Sequence, residues 1–190
     1  MKLTILALAG VLAAFNASAV TVDFNSLSGS LGSTYSTAGI TFSTTGSGGL
    51  TVGITPNGTA GLLGGNTQPY QFIRADIAGD ASFVSVDLGD YDQDADTIFL
   101  QVFDSANNSL GFSSQLLDAS FTGMVTLNWS AANIAYAVFG STAPSTGGSS
   151  VYADNFTTRG ASTVPDASST LGLLAAGLST LGLAARRRKI

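Results

Sequence analysis

Phe83-Val84-Ser85-Val86-Asp87-Leu88 is the stretch on which the fold class turns. Apolar and polar side chains alternate along it, and a period of two is that of an extended, half-buried strand. The alternation recurs in Val20-Thr21-Val22-Asp23-Phe24, in Ile98-Phe99-Leu100-Gln101-Val102-Phe103 and in Met124-Val125-Thr126-Leu127-Asn128-Trp129. Shorter runs of the same kind lie at 40–43, 50–54, 71–77, 109–114, 134–139 and 151–157. Gly-, Ser-, Asn- and Pro-rich clusters at 44–49, 56–65, 104–108 and 141–150 read as the turns between them. No long 3.6-residue periodicity interrupts the pattern, and no solenoid or propeller repeat is present. About ten short strands predict an all-β fold, an antiparallel β-sandwich of jelly-roll-like type over residues 20–158. Its last strand is expected beside its first, because the termini of compact domains lie close together.

Outside that domain the two ends are apolar. Residues 1–19 carry a single Lys2, an apolar run from Leu3 to Phe15, and Ala17-Ser18-Ala19. A short apolar helix followed by small residues at Ala17 and Ala19 is a secretory signal with its cleavage site, which makes Val20 the first residue of the exported form. General secretion machinery and signal peptidase are the partners this implies.

At the other end, a polar linker at 159–163 leads into Val164-Pro165-Asp166, an uncharged stretch at 167–185, and Arg186-Arg187-Arg188-Lys189 before Ile190. Pro165 breaks any preceding regular structure. As a helix, 167–185 would be roughly 28 Å long at ~1.5 Å per residue, close to the thickness of a hydrocarbon core. The basic cluster acts as a stop on the cytoplasmic side. This three-part tail resembles the PEP-CTERM sorting signal of exported bacterial proteins, with Val164-Pro165-Asp166 as a variant of the recognition motif. The resemblance implies recognition by an exosortase and delivery to the cell surface, an extracellular matrix or a biofilm. The stretch 86–111 and Asp154-Asn155-Phe156 are similar to segments of the β-rich domains such proteins carry, which implies no single activity.

Charge narrows the partners further. Charged residues are 10% of the chain and every acid is aspartate. Between Val20 and Thr163 eleven aspartates face only Arg74 and Arg159. Such a domain repels nucleic acid and anionic headgroups and suits divalent cations or neutral polymers. With no Cys and no His, thiol chemistry, the usual zinc sites and imidazole acid–base catalysis are excluded.

Two groups of aspartates stand out. Asp90, Asp92, Asp94 and Asp96 alternate in one loop, where several carboxylates suit a hard cation such as Ca²⁺. The run is not an EF-hand, since Ala95 takes the place of the glycine and Gln101 that of the closing glutamate. A solvated acidic loop is the plain alternative. Asp23 and Asp154 form a second pair, able to share a structural ion if the first and last strands are neighbours; strand-end capping is the competing reading.

Enzymatic signals are sparse. Paired aspartates serve glycoside hydrolysis only when one is an acid and one a base at a defined separation. The serines have no histidine to activate them, and neither a nucleophile elbow nor a phosphate-binding loop occurs. Trp129, Tyr70, Tyr91, Tyr136 and Tyr152 either stack on sugars or fill the core.

The expectation is therefore a non-enzymatic exported protein of the surface or matrix. The alternative is a carbohydrate-binding module with matrix polysaccharide as its partner, and a hydrolase is a distant third. An open aromatic-lined face would favour the module, featureless faces the structural role, and carboxylates across a cleft the enzyme.

Overall fold

The structure is a computed structural model and describes residues 19–65, 71–91, 95–142 and 151–160. The expected signal helix, the tail helix, Ala17, Asp92, Asp94 and Val164–Lys189 lie outside the described residues. Among the described residues no helix is long and apolar enough to cross a membrane.

The described chain is all-β: an antiparallel sheet of eleven strands. In order they are β1 Ala19–Val22, β2 Gly29–Gly32, β3 Thr34–Thr37, β4 Ile40–Thr44, β5 Leu50–Ile54, β6 Ala60–Leu63, β7 Ile73–Tyr91, β8 Asp96–Phe103, β9 Ser109–Leu117, β10 Thr122–Ser141 and β11 Tyr152–Gly160. The strand order is β2-β5-β6-β11-β7-β10-β8-β9, with β1 on β11 and β3-β4 on β7.

β7 and β10 organise the sheet. Each was legible as two strands, 71–77 with 83–88 and 124–129 with 134–139, yet each is one strand of 19 and 20 residues. The residues that looked like breaks are bends. The β7–β10 register shifts between Ser130 and Ile134 and again before Tyr136, and Asn133 takes a left-handed φ of 61°. A bulge of this kind re-aims a strand without ending it. The first part of β7 therefore pairs with β4 and the last part of β10, while its last part pairs with β11 and the first part of β10.

The two regions pack on each other through aromatic rings. Phe42 of β4 meets Phe24 edge-on at 5.2 Å and Phe156 of β11 edge-on at 5.3 Å. Phe139 of β10 stacks on Phe156 at 5.5 Å. All four are essentially inaccessible, with Val84, Val86, Leu88, Leu100 and Val102 buried in the same core. Burial of this kind contributes about 1.5–3 kcal/mol per large apolar side chain before entropy is counted.

β1 does pair with β11, Val22 facing Phe156, so the ends of the sheet are neighbours as expected. Two expectations need correction, and two strands lay outside any of them. The cluster at 56–65 is only partly a turn: Thr55 N–H donates to Thr59 O at 2.8 Å and β6 follows. β2 and β3 were not legible, because Gly-Ser-Leu-Gly and Thr-Tyr-Ser-Thr carry little apolar signal and owe their pairing to β5 and β4. β11 runs two residues into the stretch read as linker, since Arg159 pairs with Phe83 and Gly160 with Ala81.

Candidate functional site

One face of the sheet is built by cross-strand register. Ser36, Thr41, Asp76, Tyr136 and Phe103 are successive partners from β3 through β4, β7 and β10 to β8. One step along, Ser43, Arg74, Val138, Gln101 and Phe112 form a parallel row ending on β9. Gly140, Phe99 and Ser114 form the next. Directly paired residues share a face. The alternate residues Ile40, Phe42, Ile73, Ala75, Ala137, Phe139, Leu100 and Val102 point into the core, so the rows point out.

The rows grade from hydroxyls to aromatics. At the β3–β4 side, Ser36 Oγ and Thr41 Oγ1 lie 2.9 Å apart. In the middle, Arg74 donates from Nε and Nη2 to Asp76, the shortest contact being 2.6 Å. The guanidinium also lies over Tyr136, 3.7 Å from the ring centroid, and Phe103 stacks on the same tyrosine at 4.7 Å and 9°. Tyr136 OH donates to Asn107 Oδ1 at 3.1 Å. The hydrogen bond that the Arg74 guanidinium donates to Asp76 holds the Arg74 pKa above the ordinary arginine value. Asn107 belongs to a turn set by Asp104, which accepts from Ala106 N, Asn108 N and Asn108 Nδ2. Those bonds, chiefly the Asn108 side chain, hold the Asp104 carboxyl below the usual range.

At the β8–β9 side, Phe72 meets Phe99 edge-on at 5.0 Å, and Phe99 stacks on Phe112 at 5.9 Å. Phe99 is buried, whereas Phe72 is 38% and Phe112 49% exposed. Phe72 lies against Gly140 of β10, where a Cβ would stand in ordinary contact at 3.4 Å from its ring. Leu116, 66% exposed, extends the apolar end.

Sequence reasoning named Tyr136 from this face and missed Phe72, Phe99, Phe103, Phe112, Arg74, Asp76 and Gln101. A signal was there, since Ile98–Phe103 is apolar at both parities, which a strand with one solvated face does not need. Of the other aromatics named, Trp129 packs inward against Gly111, and Tyr152 packs on Gly53. Tyr70 lies outside the described residues.

The aspartates divide. Asp90 and Asp96 are 5% and 0% exposed, which removes them from any solvated acidic loop. Ser141 Oγ donates to Asp96 Oδ1 at 2.7 Å, and Asp96 Oδ2 is buried without a hydrogen-bond partner among the described residues. Asp154, 2% exposed, accepts from Thr59 Oγ1 and Asn155 N, both at 2.7 Å. Beside it in register, Asp87 accepts from Thr126 Oγ1 and Asn155 Nδ2. Burial, with the charges of Asp87 and Asp23 adding to it, raises the Asp154 pKa. Asp23 is exposed and caps Asn25 N at 3.2 Å. Both oxygens of Asp154 are thus engaged, an arrangement that suits capping. Asp87 and Asp154 stand side by side, not across a cleft. Among the described residues no three His, Cys, Asp or Glu side chains are grouped to hold a metal ion.

No family model matches the chain, and no curated protein matches it. Among solved structures it is similar in path to an arabinose-bound α-L-arabinofuranosidase, at 10% identity, TM-score 0.44 and 77% coverage of this chain. The chain spans 27% of that enzyme's length.

Proposed function

We propose that this is an exported, non-enzymatic surface or matrix protein whose sheet is a jelly-roll-like β-sandwich with a polysaccharide-binding face. The carrying observation is the graded face: exposed Phe72 and Phe112 beside the Arg74–Asp76 pair and the hydroxyls of Ser36 and Thr41. Aromatic rings cover the apolar faces of sugars, while hydroxyls, a carboxylate and a guanidinium exchange hydrogen bonds with sugar hydroxyls. The acidic domain excludes polyanions, so the ligand is a neutral glycan. Affinity electrophoresis of the secreted protein in gels containing neutral polysaccharides is the test, with the double variant Phe72→Ala, Phe112→Ala as control. Retarded wild type and unretarded variant are expected; equal mobility of the two in every gel rejects the reading.

Delivery rests on the termini. Cleavage after Ala19 starts the mature chain at Val20, and an exosortase reads Val164-Pro165-Asp166, with the basic stop at Arg186–Lys189 removed. Intact-mass measurement of the secreted form checks this, and a mature chain that keeps Arg186–Ile190 contradicts it.

Calcium is the second element. Asp96, with its orphaned buried oxygen, fits a hard cation that prefers carboxylate oxygens, and Asp90 stands at the other end of the same β7–β8 connection. The ion would neutralise buried carboxylate charge there. A thermal melt with Ca²⁺ and with chelator decides it, since a ligand bound only by the folded state raises the midpoint; an unchanged midpoint removes the ion.

A further inference from the structure

We infer that the ligand is a single extended glycan chain that crosses the strands, entering an open depression beside the β3–β4 turn, and not the flat face of a packed, crystalline polysaccharide. The inference rests on the polysaccharide reading of the graded face and adds the path and physical form of the ligand.

The aromatic side of the face is not a plane. Phe72 stands at 86° to Phe99 whereas Phe112 lies at 15° to it. The two exposed rings therefore cannot both lie flat against one crystal surface. A flexible chain can present the face of one sugar to Phe112 and the edge of another to Phe72.

The polar side is concave. Ser36, Thr37, Gly39, Thr41, Asp76 and Ala78, with Ile40 and Ile77, border a wide, open depression of about 500 Å³. A rigid flat surface would bridge it without touching its floor. Ser36, Thr41 and Asp76 lie on the same row as Tyr136 and Phe103, so the depression continues that row. Strands about 4.8 Å apart make the face from β3 to β9 about 24 Å wide, the reach of an oligosaccharide and not of one sugar.

The floor is pre-formed. The turn uses two left-handed residues, Ala38 at φ 50° and Gly39 at φ 77°, and Ala78 N–H donates to Gly39 O at 2.7 Å. Site and turn are thus held together by backbone before any ligand arrives, which lowers the ordering cost of binding.

The test uses the secreted protein and two probe series. One contains soluble hydroxyethylcellulose, xylan, galactomannan and mixed-linkage glucan, with disaccharides to hexasaccharides of whichever binds. The other is insoluble crystalline cellulose. Calorimetry is expected to show affinity rising through the series to the longest oligomer. Ala78→Trp, which fills the depression and leaves the backbone bond to Gly39 in place, is expected to weaken hexasaccharide binding about tenfold and disaccharide binding hardly at all. Ser36→Ala, on an exposed hydroxyl, should reproduce part of that length-selective loss. Length-independent affinity, an unaffected hexasaccharide in both variants, or binding to the crystalline probe alone overturns the path. Failure of every glycan, soluble or insoluble, rejects instead the polysaccharide reading beneath it.

Discussion

The guanidinium of Arg74 is clamped between the ring of Tyr136, 3.7 Å beneath it, and the carboxylate of Asp76, to which it donates at 2.6 Å. This relationship joins the aromatic and polar halves of the face. Arg74 and Asp76 are consecutive outward residues of β7, and Tyr136 is the partner of Asp76 on β10. Register, not sequence proximity, brings the tyrosine to the other two.

Arg74→Lys tests the clamp. Lysine keeps the charge but loses the planar fork that both stacks and chelates. The side chain of Arg74 is 36% exposed, so solvent screening limits its worth to stability. The melt is expected to change by less than about 1 kcal/mol. Glycan affinity should fall in calorimetry, because Asp76 loses its fixed geometry.

Phe112→Ala separates binding from folding. The ring is half exposed, and surface substitutions normally cost within about 0.5 kcal/mol. An unchanged denaturation midpoint with affinity lowered about tenfold is the expected result. A large loss of stability would mark Phe112 as a packing residue only.

Phe156→Ala is the contrasting core change. Phe156 is fully buried against Phe42 and Phe139. Truncation removes ring contacts from both packed regions and leaves a cavity, a change costing about 3–5 kcal/mol. Urea denaturation should show the midpoint falling with little change in slope.

Gly111→Ala tests a close approach. A Cβ at Gly111 would collide with the Trp129 indole, and overpacking of this kind costs about 1–3 kcal/mol. Near-ultraviolet dichroism should report the displaced indole, the chain's one tryptophan.

Asp154→Asn tests the buried carboxyl through pH. Its folded pKa is raised above 3.8, first by burial and then by Asp87 and Asp23. A raised carboxyl binds its proton more tightly in the folded state, so this group favours folding at low pH, and that contribution is lost as pH rises from about 4 through the folded pKa. The difference in melting temperature, wild type minus variant, is expected to decline across that window. Asp104 and Asp118 work in the opposite sense: their carboxyls are held low by hydrogen bonds, and their contribution disappears as pH falls below about 3.8.

Much of the fold was legible because a strand writes its burial into every second residue. Phe83–Leu88 and Met124–Trp129 show this, and both lie within strands. What periodicity cannot show is whether a polar interruption ends a strand or bends it. Gly79 and Asn133, both at positive φ, lie in the gaps between runs that were read as separate strands and act as bends, because the partner strand supplies hydrogen bonds on either side. β2 and β3 were hidden for the complementary reason, their pairing being owed to neighbours and not to their own apolar content.

By itself the sequence determined the all-β class, the acidic charge of the middle, the absence of thiol and imidazole chemistry, and the apolar ends with their motif and basic cluster. These properties are additive along the chain or periodic within a few residues. Only the tertiary structure decided that Phe72, Phe99, Phe112, Tyr136, Arg74 and Asp76 share one face, that Asp96 is sealed from solvent, and that Asp154 lies beside Asp87. Each depends on register between strands distant in sequence, and a shift of one residue would turn every such side chain to the other face.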